Sequence, residues 1–253
     1  IVSTPVLSAE SLPKDLIEVG ITASVGKKLP LDTPLTNSHG EHIVLGDLLK
    51  TNEPLILTFV YYRCPMLCSL LLDGVKEALQ KQKKLPGDGY RVASISFDPT
   101  DSYETAHAFQ TKYSAAFSEE LKPDAWSFLV GSPESIQTLT SAVGFHYNFL
   151  ENSGEFAHSA TVIFISPDGT ISRYLYGVMF DPLQVRLGVL DASNRKTIST
   201  IDQGLLFCYN YDPQARSYVI HSMNLMKAAG ILSILLIAGF VFYLLRLEKT
   251  GYK

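Results

Sequence analysis

The stretch Leu55-Ile56-Leu57-Thr58-Phe59-Val60-Tyr61-Tyr62-Arg63-Cys64-Pro65-Met66-Leu67-Cys68 decides the reading of this chain. A continuous apolar and β-branched run over 55–61 is what a strand covered on both faces needs. Leu67, Leu70, Leu71, Val75, Ala78 and Leu79 then recur at helical spacing, and Pro86-Gly87 closes the segment. Two thiols therefore sit where a strand feeds a helix. Their separation is i, i+4, which brings both to one helix face. If Cys64 precedes the helix and Cys68 lies in its first turn, the unpaired N–H groups and positive helix end favour thiolate at Cys64. Pro65 suits the first helical position, and Arg63 adds nearby positive charge.

Working outward, the same alternation continues. A hairpin is expected over 35–45, turning at Ser38–Gly40, followed by the 55–61 strand. A second buried strand over 90–97 ends at Asp98-Pro99. Asp101 is placed to cap a helix from Ser102 to Phe117. A short strand over 126–130 leads to a helix with Ser132 at the N-cap and Pro133 at the first turn. Runs at 161–166 and 171–176 flank the turn Pro167-Asp168-Gly169 and predict a second hairpin. Asp181-Pro182 opens a last helix. Strands alternating with helices, then a hairpin and a helix, predict a three-layer α/β domain.

The 253 residues are 46% hydrophobic, enough for one full core and a small appendage. A net charge of −4 with no basic block excludes the clustered positive footprint of nucleic-acid binding. Three cysteines are too few for a disulfide scaffold. The chain begins Ile1-Val2-Ser3 without Met, so a processed N-terminus is expected. Ala228–Leu245 carries no charge and as a helix would extend roughly 27 Å, close to a bilayer's hydrocarbon thickness. Arg246, Lys249 and Lys253 follow it. The expectation is a single C-terminal transmembrane helix, with the tail cytoplasmic and the main domain outside. The expected organisation is a lead-in over 1–24, the main domain over 25–195, a juxtamembrane extension over 196–227, the anchor over 228–245 and the tail over 246–253.

Two soft thiolates suit Cu(I) or Zn(II), but two ligands rarely complete a site. His158 is the best third donor, because it immediately precedes an expected buried strand. Taken alone it reads as an ordinary loop histidine. The rival use of the thiols is exchange, in which Cys64 attacks a partner disulfide and Cys68 resolves the intermediate. Three residues between the cysteines, rather than two, favour metal over exchange. Met66 is expected to pack inward. His39 and His42 flank the first turn, where no metal contact is expected, and His107 lies on a helix face. Cys208 reads as a small buried hydrophobe or a reactive extra thiol.

Phe59-Val-Tyr-Tyr-Arg-Cys64-Pro65-Met-Leu-Cys68, then Ser94-Ile-Ser-Phe-Asp98-Pro99, then His158-Ser159-Ala160 before Pro167-Asp168-Gly169 resembles the SCO/SenC/PrrC family. The likeness extends over about 25–195. It implies a thioredoxin-like fold and one copper bound by Cys64, Cys68 and His158. It further implies service to the dinuclear copper centre of a cytochrome oxidase, on the oxidase's copper-bearing subunit. The same thiols could instead reduce that centre's cysteines. Other copper chaperones or a respiratory complex, of which the chain could be a permanent subunit, are further expected partners. With the anchor, this places the protein in a bacterial inner membrane, with its main domain in the periplasm and the lipid bilayer as a further partner. Three departures stand out: the anchor is C-terminal, Met66 stands where many members have Asp, and 191–221 is an extension.

Overall fold

A computed structural model describes residues 19–117, 121–193, 209–212, 217–220, 226–227, 230–231, 233–240 and 242. The chain divides into two compact units, Ile1–Lys196 and Thr197–Lys253.

In the first unit the strands are β1 (Gly20–Ile21), β2 (Pro34–Asn37), β3 (His42–Val44), β4 (Leu55–Val60), β5 (Arg91–Ser96), β6 (Trp126–Val130), β7 (Phe145–His146), β8 (Asn148–Leu150), β9 (Glu155–Ala157), β10 (Thr161–Ile165) and β11 (Ile171–Tyr176). The helices are α1 (Leu67–Gln80), α2 (Tyr103–Ser114), α3 (Pro133–Val143) and α4 (Pro182–Ala192). Seven strands form one sheet in the order β11-β10-β4-β5-β6-β2-β3. β4, β5 and β6 run parallel, and β10, β11, β2 and β3 are added antiparallel at the two sides. Every residue of β4 is buried, as the apolar run requires of a central strand covered on both faces. This is the expected α/β, thioredoxin-like arrangement of sheet and helices.

Two features of this topology position the site. β4 ends at Val60, so the cysteine loop emerges at the carboxyl edge of the parallel strands, where open α/β sheets present their functional groups. β10 pairs antiparallel to β4 with Thr58 opposite Val162. Continuing that register sets position 158 opposite position 62. A residue ninety positions away in sequence is thus delivered to the cysteine loop by strand pairing alone.

Helix boundaries follow local chemistry. Ser132 caps α3, accepting the Ser135 N–H at 3.2 Å, with Pro133 in the first turn as expected. Asp181 caps α4 in the same way through the Leu183 N–H at 2.8 Å. α1 packs so closely that a Cβ on Gly74 would lie 1.9 Å from the Val178 carbonyl oxygen.

Several expectations are corrected. The cap of α2 is Ser102, and Asp101 turns instead toward the cysteine loop. Pro65 precedes the first turn of α1, whose N-cap is Met66. β1, within the expected lead-in, pairs with β7. In the second unit, β12 (Tyr209–Asp212) and β13 (Ser217–Ile220) form an antiparallel hairpin inside the expected connecting segment.

The expected transmembrane helix is also corrected: no helix among the described residues is long and apolar enough to cross a membrane. The single-pass topology, and the inner-membrane and periplasmic placement drawn from it, go with that helix. Parts of 228–245, the tail over 246–253, and Cys208 lie outside the described residues.

Candidate metal centre

Cys64, Cys68 and His158 converge: one ligand atom from each lies within 4.8 Å of the others. Cys68 is the second residue of α1, so its N–H is one of the donors left open at a helix start. Met66, the N-cap, makes no side-chain cap. The Cys64 sulfur takes that role and accepts the Cys68 N–H at 3.3 Å. A thiolate there also meets the positive end of the helix. Cys64 is half-buried, and Cys68 is 1% exposed.

The two thiols are driven apart in proton affinity. Cys64 is lowered to about 3, chiefly by the Cys68 thiol beside it, with burial opposing and His158 and Tyr61 assisting. Cys68 is raised, by the adjacent Cys64 and by burial. Of the two, Cys64 is thus the readier thiolate and Cys68 the one that keeps its proton. Its sulfur accepts the Tyr61 N–H at 3.4 Å and lies 3.5 Å from His158 Nε2.

The His158 ring is oriented from its other side. Nδ1 lies 3.0 Å from the Ser159 carbonyl oxygen, which can only accept, so Nδ1 carries a proton and Nε2 is the nitrogen turned to the sulfurs. The ring is held edge-on against Phe97 and Tyr61, with centroids 5.1 and 5.8 Å away, and beside Phe145 at 6.1 Å. Phe156, on β9, packs against Phe97 and Tyr61 and closes this aromatic wall. A largely buried imidazole beside a buried thiol and a half-exposed one makes a soft donor set with one open side.

The loop itself is bolted to β5, β6 and the segment after β5. Arg63 donates to Asp98 Oδ2 at 2.7 Å and to the Thr100 hydroxyl. Asp98 also accepts the Thr100 N–H and hydroxyl at 2.8 and 2.6 Å. Burial pushes the Asp98 carboxyl up, but the Thr100 and Arg63 donors outweigh it and hold the carboxyl below its ordinary range. Asp101 Oδ2 accepts the Tyr62 N–H at 2.7 Å and the Ser96 hydroxyl at 2.6 Å, while burial raises its pKa. The buried Tyr62 hydroxyl lies 3.1 Å from the Ser94 carbonyl and 2.9 Å from that of Leu129, and accepts the Leu129 N–H at 3.0 Å.

Arg63, expected as positive charge near the thiols, is tied to Asp98. Met66, expected inward, is 66% exposed. Asp98-Pro99 was expected to cap the Ser102 helix or to shape the loop near the site, and it does the second; the aromatic wall and the part of Asp101 in the anchor were not foreseen. The only hints were Tyr61-Tyr62 beside Cys64 and the Asp98-x-x-Asp101 spacing after a buried strand.

Fold and centre together define a thioredoxin-like domain carrying a two-thiol, one-imidazole site of the kind that takes a soft metal ion. The family model described as SCO1/SenC matches residues 32–184, more than half of the chain, and the chain belongs to that family. Among solved structures it is similar to a candidate electron transfer protein from Aquifex aeolicus VF5, with 26% identity, 69% of this chain and 97% of that one covered, and a TM-score of 0.61. A candidate electron transport protein of the same organism is also 26% identical, covering 67% of this chain and 98% of that one at a TM-score of 0.52. Arabidopsis thaliana ScoI with copper bound shares the fold, at 23% identity, 68% and 99% coverage, and a TM-score of 0.53. Comparison with curated proteins gives no match.

Proposed function

We propose that this chain is a copper chaperone that binds one copper ion through Cys64, Cys68 and His158. The ion is its cargo, supplied to the dinuclear copper centre on a cytochrome oxidase's copper-bearing subunit. The observation that carries this reading is the convergence of the three donors within 4.8 Å, with Nε2 of His158 turned to the sulfurs. Membership of the SCO1/SenC family supports the oxidase role.

The donors fit copper by type: two sulfurs and one imidazole suit Cu(I), and Nε2 of His158 lies 3.5 Å from the Cys68 sulfur. Cys64 stands ready as thiolate, and Cys68 releases its proton as the ion enters. The buried pair, Cys68 and His158, retains the ion, while half-buried Cys64 faces the approach of acceptor ligands. Transfer then proceeds by exchange of one ligand at a time. The direct test mixes the chain, loaded with one equivalent of Cu(I), with the soluble copper-bearing domain of an oxidase. The absorption of a dinuclear copper centre is expected to grow as the donor empties. A chain that keeps its copper while a small-molecule copper complex fills the same acceptor would overturn the reading.

One observation favours a second use of the same sulfurs: a half-buried thiolate next to a buried, protonated thiol is the arrangement of an attacking and a resolving cysteine. Cys64 displaces one sulfur of a partner disulfide, forming a mixed disulfide and freeing that thiolate. Cys68, on losing its proton, attacks Cys64 and frees the second, so two electrons pass to the partner. Cys68→Ser should trap the mixed disulfide with an oxidised copper-site peptide. Absence of that adduct removes exchange and leaves the copper reading intact.

A further inference from the structure

We propose a second metal site, for a divalent borderline cation such as Cu(II), Ni(II) or Zn(II), formed by His39 and His107. The two residues are far apart in sequence and belong to different elements: His39 to the turn joining β2 and β3, His107 to α2. Their ring centroids are 5.8 Å apart, with the planes at 67°. Two imidazoles sharing one ion, each at about 2.0–2.1 Å from ring nitrogen to metal, have centroids about 5–6.5 Å apart. The observed spacing falls in that interval. Both residues are exposed, and among the described residues neither ring nitrogen takes a hydrogen bond.

What lifts this above a chance meeting of surface side chains is how the turn is fixed. Asn37 Oδ1 accepts the N–H groups of His39 and Glu41 at 2.9 and 3.0 Å, shaping the turn from within. Gly40 adopts a φ of 80°, and the Tyr103 ring lies 3.5 Å from where a Cβ on Gly40 would stand. The Ser38 hydroxyl donates to Gln110 Oε1 at 2.6 Å. Tyr103, His107 and Gln110 follow one another by four and three residues, so they share a face of α2. The turn is therefore docked on that face on both sides of His39, so that the backbones carrying the two imidazoles are held together. Preorganisation of this kind is what lets a two-ligand site hold an ion, with water completing its shell.

Imidazole pairs suit Cu(II), Ni(II) and Zn(II), and the affinity order places Cu(II) first. The pair shares no residue with Cys64, Cys68 or His158, and its two nitrogen donors favour a harder ion than two thiolates do. Neighbouring His42 is diverted: its Nδ1 lies 3.3 Å from the Thr36 hydroxyl. Glu104, one turn before His107, is engaged by Ser102 and Tyr103.

The test uses the full chain with Cys64→Ser and Cys68→Ser, so that the thiol centre is silent, titrated with Cu(II) and followed by calorimetry and electron paramagnetic resonance. One equivalent is expected to bind with a two-nitrogen signature. His39→Ala and His107→Ala should each weaken it at least about tenfold, the scale on which even outer-shell partners act, and His42→Ala should leave it unchanged. Because the serine background could unfold, the unmodified chain is also titrated with Zn(II) and its imidazole proton resonances followed. His39 and His107 are expected to shift together with one midpoint, and His42 to stay put. Independent shifts, no shifts, or equal sensitivity to His42→Ala would overturn the site and leave only an edge-on ring contact.

Discussion

Asp98→Asn tests how the cysteine loop is held. The Asp98 side chain is 2% exposed and receives Thr100 donors at 2.6 and 2.8 Å and Arg63 at 2.7 Å. Asparagine keeps one acceptor oxygen and points an NH2 group at one of those donors. The loss is a charge-assisted hydrogen bond inside the protein, worth about 1.5–3 kcal/mol. Arg63, 61% exposed, recovers water on its side, so a net cost of about 2 kcal/mol is expected at pH 7. Urea unfolding should show a lower midpoint with an unchanged slope. The sign of the pH dependence is fixed by the depressed pKa. A carboxyl held below its unfolded value stabilises the fold above that value, about 3.9, and loses its effect as pH falls through the lower, folded one. Wild type and variant should therefore converge as the solution is acidified below about pH 4. With Arg63 released, the loop carrying Cys64 loosens, and Cu(I) affinity should fall about tenfold. Unchanged stability at pH 7, or a gap that widens on acidification, would refute the anchoring argument.

Three further expectations follow from other contacts. Gly74→Ala would ordinarily stabilise a helix by about 1 kcal/mol. Here its Cβ meets the Val178 carbonyl oxygen at 1.9 Å, so overpacking of about 1–3 kcal/mol should dominate and thermal melting should move down rather than up. Tyr62→Phe strands the buried Leu129 N–H, which should cost about 1–3 kcal/mol in chemical denaturation. Copper affinity should rise with pH, because Cys64 is already ionised and binding expels the proton that Cys68 retains. Around neutral pH, between the lowered Cys64 and the raised Cys68, the logarithm of the Cu(I) constant should climb by about one for each pH unit. A flat profile would mean that both thiols are ionised before the metal arrives.

The strands and helices that build the centre were readable because their signals are local. The 55–61 run could be only a buried strand, and Ser132-Pro133 and Asp181-Pro182 carry their own helix starts. His158 was different. Its neighbours in sequence give no reason to prefer it over any loop histidine, and only antiparallel pairing of β10 with β4 sets it opposite the cysteine loop. Family resemblance supplied that contact in advance, and strand register supplies its physical cause. Asp98 and Asp101 illustrate a real ambiguity. An acidic residue before a helix satisfies capping rules, yet here the cap fell to Ser102, because Tyr62 N–H and Arg63 needed acceptors in a buried setting. The meeting of His39 with His107 depends on a turn docking against a helix, which no periodicity records. The 228–245 stretch shows the converse. Apolar composition suggested a membrane span, but no described helix reaches that length.

The central claim is a single copper held by two sulfurs and one imidazole. Its most direct measurement is an anaerobic Cu(I) titration of the reduced full chain, read by X-ray absorption, beside Cys64→Ser, Cys68→Ser and His158→Ala. One equivalent is expected to bind with two sulfurs and one nitrogen around copper, with binding abolished in either serine variant and weakened, with the nitrogen lost, in His158→Ala. Undiminished binding in all three variants would contradict it.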